Sequence, residues 1–156
     1  MKIHFSSIAV VGAGAMGQGI AQIATQAGSH VWLLDSKPGA ADKARQAIQQ
    51  QWAKLAAKGR VTEEQVQAWN QQLQIANTLA DLGSCQLVLE AVVERLEVKQ
   101  ALFAEMERTL PANVVWATNT SSLSVTAIAA ALQQPERLAG FHLFNPVPLM
   151  KVVEVV

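Results

Sequence analysis

The sequence predicts a doubly wound α/β fold with a mainly parallel sheet, and three observations lead to that prediction. A short apolar segment, Ile8 to Val11, runs directly into a Gly-x-Gly-x-x-Gly motif at Gly12, Gly14 and Gly17. Other apolar segments of strand length alternate with amphipathic segments of helix length along the chain. The apolar segments are continuous, which is typical of parallel strands that are covered on both faces.

The glycine motif has the order of elements that a pyrophosphate-binding turn requires: strand, tight turn and helix N-terminus. Gly12 permits the turn, Gly14 leaves room for phosphates, and Gly17 allows the helix to pack closely. Together with Ala15 and Met16 between them, these glycines are candidates for binding a dinucleotide. The motif by itself also occurs in ordinary loops, so the interpretation depends on its surroundings.

An acidic residue stands where a dinucleotide site needs one. Residues His30 to Leu34 predict a second buried strand, and Asp35 follows it, 23 positions after Gly12. A carboxylate about 20 residues beyond the motif binds the adenosine ribose hydroxyls and favours NAD over NADP. The alternative is that Asp35 is only a turn or cap residue, because Asp-Ser-Lys-Pro also suits a turn. The whole arrangement is typical of a Rossmann-type fold.

A helical hairpin is predicted next, as an insertion longer than a crossover connection needs. Residues 40–58 form an Ala- and Gln-rich helical pattern that Gly59 interrupts. The segment Thr62 to Gln65 has the form of a capping box, so a second helix is expected from Thr62 through Trp69. Its basic cluster, which could contact phosphates or simply form a solvated face, comprises Lys54, Lys58 and Arg60.

The rest of the chain predicts further strands and helices in alternation. The expected helices are 18–27, 96–110 and 125–132, and the expected strands are 73–76, 87–93, 114–118, 138–142 and 151–156. In doubly wound sheets, ligands bind beyond the carboxyl ends of the strands. The polar residues that collect at those ends are Asp35, Glu94, Ser121 and His142.

Composition excludes several classes of protein. The chain has 156 residues, which suits one domain, and 51% of them are hydrophobic. The formal net charge is zero and no long basic run occurs, so a nucleic-acid partner is not expected. Cys85 is the only cysteine, which excludes an intrachain disulfide. No signal peptide, membrane span or metal site is predicted, and we expect a cytoplasmic protein.

Alcohol oxidation by hydride transfer needs a base that takes the hydroxyl proton, in addition to the cofactor. Of the three histidines, only His142 lies at a predicted strand end with a polar loop beside it. Glu154 could return on the next strand and accept a hydrogen bond from that imidazole, and Ser121 could contact the reacting oxygen. His142 could equally be a structural histidine. Glu154 is the more unusual residue, because an unpaired buried carboxylate between valines would be costly.

The sequence resembles the 3-hydroxyacyl-CoA dehydrogenases in blocks that span nearly the whole chain. The last block, His142 to Val155, is far more specific than the glycine motif. The resemblance implies NAD-dependent oxidation of a 3-hydroxyacyl-CoA to a 3-ketoacyl-CoA. The blocks that carry it are 11–17, Glu90-Ala91-Val92-Val93-Glu94, 117–122 and 142–155.

The resemblance also implies a role for each matching residue. His142 is implied as the catalytic base, Glu154 as its partner and Asn145 as its neighbour. Ser121 is implied near both the substrate hydroxyl and the nicotinamide, so that Ser121 and Asn145 also belong to the cofactor site. The resemblance also implies that Asp35 contacts the adenosine ribose and that Glu94 and Lys99 contact the cofactor. Lys58 is implied to contact the CoA phosphates. At position 51 some relatives have a hydroxyl-bearing residue that contacts CoA, and this chain has Gln51 instead.

Members of that family continue into a helical C-terminal domain that completes the acyl pocket and forms the dimer. The resemblance therefore implies that residues 1–156 are the NAD-binding domain without that helical domain, and that they are poorly active alone. It also implies a homodimer for the complete protein. Two alternatives stay open: a non-catalytic dinucleotide-binding module, and a dehydrogenase of a free 3-hydroxy acid. A paired histidine and carboxylate favours an enzyme, and the basic hairpin favours a CoA substrate.

Overall fold

The computed structural model describes residues 5–156, which form one seven-stranded sheet with helices on both faces. The strands are β1 (Ser7–Val11), β2 (His30–Leu34), β3 (Leu73–Ile75), β4 (Leu87–Glu90), β5 (Val115–Thr118), β6 (Leu138–Leu143) and β7 (Val153–Val155). The helices are α1 (Ala15–Gln26), α2 (Ala40–Ala57), α3 (Glu63–Gln72), α4 (Leu96–Thr109) and α5 (Val125–Ala129). Short 3-10 turns occupy Leu79–Leu82 and Pro135–Arg137.

The strand order is β3-β2-β1-β4-β5-β6-β7, which confirms the predicted doubly wound fold. All neighbouring strands from β3 to β6 are parallel, and β7 alone pairs antiparallel, with β6. The chain order reverses between β1 and β4, and such a switch point leaves a crevice at the carboxyl ends of the strands. Asp35, Glu94 and Ser121 follow strand ends and His142 is the second-last residue of β6, so the topology brings these four to one edge of the sheet.

Side chains of β1 divide between two cores, one on each face of the sheet. Ile8 and Val10 belong to the core that α1, α2 and α3 cover, whereas Ala9 and Val11 belong to the core under α4 and α5. This alternation follows from the two-residue period of a strand. Both faces are thus buried, which explains why the strands are continuously apolar.

The predicted helical hairpin is present as α2 and α3. Gly59, with φ of +69°, lies in the connection between them. The capping box is confirmed, because Gln65 N–H donates to Thr62 Oγ1 over 3.1 Å and Thr62 N–H donates to Gln65 Oε1 over 2.9 Å. Trp52 and Trp69 join the two helices with their ring centroids 5.4 Å apart. No helix within residues 5–156 combines the length and apolarity needed to cross a membrane.

Two element bounds near the glycine motif differ from the predicted ones. Helix α1 already begins at Ala15, so Gly17 lies inside it rather than before it. Strand β4 ends at Glu90 rather than at 93, just before Glu94. The physical reason is that the Glu90 carboxylate accepts the N–H of Val92 over 3.0 Å, which turns the chain out of the sheet.

Two bounds in the last third of the chain also differ. Helix α5 ends at Ala129 rather than at 132, because the N–H groups of Ala131 and Leu132 donate to the third preceding carbonyl, over 3.4 and 2.9 Å, and so close a turn. The last strand begins at Val153 rather than at 151. A turn onto the carbonyl of Pro146, which accepts from residues 149 and 150, delays it.

Candidate active site

Two adjacent cavities open at the carboxyl edge of the sheet. The histidine cavity has a volume of about 300 Å³, and the glycine cavity has a volume of about 480 Å³. Ala91 and Val92 line both cavities. The predicted residues of the histidine cavity are Met16, Glu94, Lys99, Ser121, His142 and Asn145, and those of the glycine cavity are Gly12, Gly14 and Asp35.

The glycine loop has the shape that a pyrophosphate requires. Gly12 has φ of +108°, and a Cβ there would lie 2.4 Å from the carbonyl oxygen of Ala91. A Cβ at Gly17 would lie 1.7 Å from the Gly12 carbonyl oxygen, so Gly17 packs against the loop itself. By contrast, a Cβ at Gly14 would meet nothing within 4 Å, so the space in front of the loop is open.

The N-terminus of α1 faces that open space. Gly14 caps the helix and provides no side-chain hydrogen bond, and the first turn contains no acidic residue. The first N–H groups of a helix have no partners within the helix, and the helix dipole favours an anion beside them. The loop therefore fits the diphosphate of a dinucleotide, with Ala15 as the first residue of the helix.

Asp35 has the turn role that its sequence context predicts, and it also supports the glycine loop. Its Oδ1 accepts the N–H of Lys37 over 2.8 Å, which is the turn role, and its Oδ2 accepts the N–H of Ala13 over 2.7 Å. The second bond connects the end of β2 to the glycine loop. A carboxylate offers about four acceptor positions, so two remain for ribose hydroxyls in the glycine cavity.

His142 and Glu154 face each other across the β6–β7 pair. The register places the two residues directly opposite, and His142 Nδ1 lies 3.1 Å from Glu154 Oε2. With Nδ1 turned to the carboxylate, Nε2 is the nitrogen left for a substrate. The Phe144 ring packs against the imidazole with a centroid distance of 4.4 Å, which restricts its orientation.

One expectation about this pair is wrong. The Glu154 side chain is 60% exposed, whereas that of His142 is 19% exposed. The apolar sequence around Glu154 suggested a buried carboxylate, but β7 pairs only with β6 and lies at the edge of the sheet. Within residues 5–156 no further element covers it.

Glu94 and Lys99 lie together on the wall of the histidine cavity. Lys99 Nζ is 3.5 Å from Glu94 Oε2, and the Thr120 hydroxyl donates to the other oxygen of Glu94. Partial burial alone would raise the pKa of Glu94. The hydrogen bond from Thr120 and the charge of Lys99 outweigh it, so the pKa lies below its usual value. Glu94 is therefore ionised at neutral pH.

The structure adds residues that the sequence prediction did not select. Asn119 Oδ1 accepts the N–H of Leu143 over 2.9 Å and so fixes the end of β6 beside His142. Glu90 binds Lys99 from beneath the cavity. Glu90 is a charged residue at the end of an apolar strand, and that contrast was the available signal. Lys58 is exposed at the end of α2 and lines neither cavity.

A comparison with known protein families identifies the family of this chain. The family described as 3-hydroxyacyl-CoA dehydrogenase, NAD binding domain, matches residues 7–156. The chain belongs to the 3-hydroxyacyl-CoA dehydrogenase family. The matched domain is the NAD-binding domain of that family, which confirms both the resemblance and NAD as the cofactor.

Similar proteins share the fold over the whole chain. The 3-hydroxyadipyl-CoA dehydrogenase of Escherichia coli (strain K12) is 42% identical over 100% of this chain and 33% of its own length. A probable 3-hydroxybutyryl-CoA dehydrogenase of Bacillus subtilis (strain 168) is 40% identical over 99% of this chain and 54% of its own. The crystal structure of 3-hydroxybutyryl-CoA dehydrogenase from Escherichia coli K12 superposes with a TM-score of 0.94 at 41% identity, over 98% of this chain and 32% of that one. The chain thus spans between a third and about half of these relatives.

Proposed function

We propose that the complete protein oxidises a 3-hydroxyacyl-CoA to the 3-ketoacyl-CoA with NAD⁺. The observation that carries the proposal is the His142–Glu154 pair in a cavity adjoining the glycine loop. A module that only binds a dinucleotide has no need of a histidine oriented by a carboxylate. The names of the two relatives described above, both dehydrogenases of 3-hydroxyacyl-CoA thioesters, support the substrate class.

In this proposal His142 is the general base. NAD⁺, when bound, accepts the hydride from C3 of the substrate. His142 Nε2 takes the proton of the 3-hydroxyl group as the carbonyl forms, so the substrate loses one hydride and one proton in total. The Glu154 carboxylate, 3.1 Å from Nδ1, holds the reactive tautomer and stabilises the imidazolium that results.

The remaining cavity residues orient the reactants. We propose that Ser121 and Asn145, which line the histidine cavity, hydrogen-bond the reacting oxygen and the nicotinamide edge. Glu94 and Lys99 line the same wall and contact the cofactor. Placing a hydroxyl, an amide and an imidazole around one cavity restricts the substrate to a reactive orientation, and such positioning lowers the barrier.

The substrate class is tested by comparing acetoacetyl-CoA with free acetoacetate. We propose that Lys58 contacts the CoA phosphates, so the complete protein should turn over acetoacetyl-CoA and should turn over acetoacetate only weakly. Lys58→Ala should raise KM for acetoacetyl-CoA about 3- to 10-fold with kcat little changed, because one exposed ion pair contributes about 1 kcal/mol. Lys43→Ala, an exposed lysine near the start of α2, is the matched control. Equal turnover of both substrates would favour the free-acid dehydrogenase, and NADH binding without turnover would favour the non-catalytic module.

Asp35 should determine the preference for NADH over NADPH. Its carboxylate accepts from a 2′-hydroxyl and repels a 2′-phosphate. Asp35→Ala should relax the preference and also weaken NADH binding, because Ala13 N–H loses its acceptor. Asp35→Asn keeps one oxygen acceptor but removes the charge. It therefore separates repulsion of the 2′-phosphate from support of the glycine loop. Fluorescence titration gives both affinities, and equal affinity of the unchanged protein for NADH and NADPH would contradict the assignment.

We also propose that the complete protein is a homodimer with a helical domain that covers the last strand. The support is the exposure of apolar side chains in and around β7, since contiguous apolar surface marks an interaction site. Sedimentation velocity of the complete protein should give two chains per particle. The exposed residues are Leu149, Met150, Val152, Val153, Val155 and Val156.

A further inference from the structure

Glu90 is a fully buried carboxylate beneath the histidine cavity. It ends the apolar strand β4 with no exposed side-chain surface, and it does not line the cavity. One carboxylate oxygen pairs with Lys99 Nζ and accepts the N–H of Val92 over 3.0 Å, and the other accepts the Thr118 hydroxyl over 2.6 Å. Glu90 therefore joins the ends of β4 and β5 to α4.

Lys99 occupies a position that stability alone does not favour. It lies in the first turn of α4, where the helix dipole opposes a positive charge, and its side chain is only 1% exposed. Replacing a buried ion pair with packed apolar residues is often neutral or stabilising. Lys99 lines the cavity and lies between Glu90 and Glu94, so the ion pair stands within reach of a ligand in the cavity.

We propose that Glu90 is a positioning residue which holds the Lys99 ammonium at the cavity wall and sets how strongly the site binds the oxidised cofactor relative to the reduced one. The formal charges of Glu90, Lys99 and Glu94 sum to minus one. The nicotinamide ring is positive in NAD⁺ and neutral in NADH, so a net negative cluster favours the oxidised form. The inference rests on the proposed function, because it requires the nicotinamide to lie in the histidine cavity.

The charge of Glu90 should change the ratio of the dissociation constants for NAD⁺ and NADH. In Glu90→Gln the cluster sums to zero, and the ratio Kd(NAD⁺)/Kd(NADH) should rise about tenfold, the order expected for one charge in a partly buried site. A purely structural lesion would raise both constants in the same proportion and leave the ratio unchanged. The ratio thus separates an electrostatic role from loss of packing.

A charge-balanced double variant provides the decisive comparison. In Glu90→Gln with Lys99→Met only Glu94 keeps its charge, so the sum returns to minus one and the ratio should return to within about twofold of the unchanged protein. Glu97→Gln, an exposed residue in the same turn of α4 whose partner is Arg95, is the control and should not move the ratio. Calorimetric titration with NAD⁺ and NADH in the absence of substrate gives all the constants.

Each outcome decides the inference. A raised ratio in Glu90→Gln that the double variant restores supports it, and proportionate loss of both affinities overturns it. If Glu90→Gln does not fold, the double variant still tests the inference, since a ratio shifted more than about twofold there would overturn it. The proposed function fails separately, through absent turnover of acetoacetyl-CoA by the unchanged protein.

Discussion

Replacing His142 with glutamine should lower turnover of acetoacetyl-CoA by about 10²–10⁴-fold, the usual contribution of a positioned acid–base group. Glutamine keeps a polar side chain of similar length but cannot take a proton. Affinity for NADH should stay nearly unchanged, because the pyrophosphate and ribose contacts lie in the glycine cavity. Steady-state kinetics of the complete protein and NADH fluorescence titration measure the two quantities on one sample.

His30→Gln is the matched control for this prediction. His30 is exposed at the start of β2, at the opposite edge of the sheet, and should tolerate the same change without loss of turnover. Glu154→Gln should reduce turnover in the same direction as His142→Gln, because the imidazolium loses a stabilising charge. Near-normal turnover of a correctly folded His142→Gln protein would mean that another residue is the base.

Replacing Gly14 with valine should weaken NADH binding by about 10- to 100-fold, which corresponds to the loss of one charge-assisted hydrogen bond or two. A Cβ at Gly14 meets no protein atom within 4 Å, so the fold should tolerate it. The added side chain instead fills the space that the phosphates need at the N-terminus of α1. Thermal unfolding without cofactor and NADH titration together test the prediction.

Gly17→Ala should differ from Gly14→Val because it should also destabilise the fold. A Cβ there would lie 1.7 Å from the Gly12 carbonyl oxygen, so this variant should lower Tm as well as NADH affinity. The two variants separate a glycine that the ligand requires from a glycine that the fold requires. An unchanged NADH affinity in Gly14→Val would show that the phosphates bind elsewhere.

Local patterns determined most of the fold. The strand–glycine–helix order of residues 8–17 and the continuous apolar strands predicted a doubly wound sheet, because the chemistry of turns and of two-sided burial is local. The capping box at Thr62 was predictable for the same reason, since its two hydrogen bonds join residues only three positions apart. The end of β4 was not, because the side chain of Glu90, which Lys99 and Thr118 hold in place, determines where the chain leaves the strand.

In the site, too, some features follow from local sequence and others only from the tertiary structure. Sequence alone selected His142 and Glu154 as a pair, through their residue types, their spacing and a family resemblance. Only the tertiary structure decided that β7 runs antiparallel to β6, which brings Nδ1 to 3.1 Å from the carboxylate and leaves Glu154 exposed. It also decided that Glu90 and Lys99 meet under the cavity, because their contact depends on how α4 packs against the ends of β4 and β5. Strand pairing and helix packing depend on contacts between residues far apart in the chain, and a local sequence pattern does not determine such contacts.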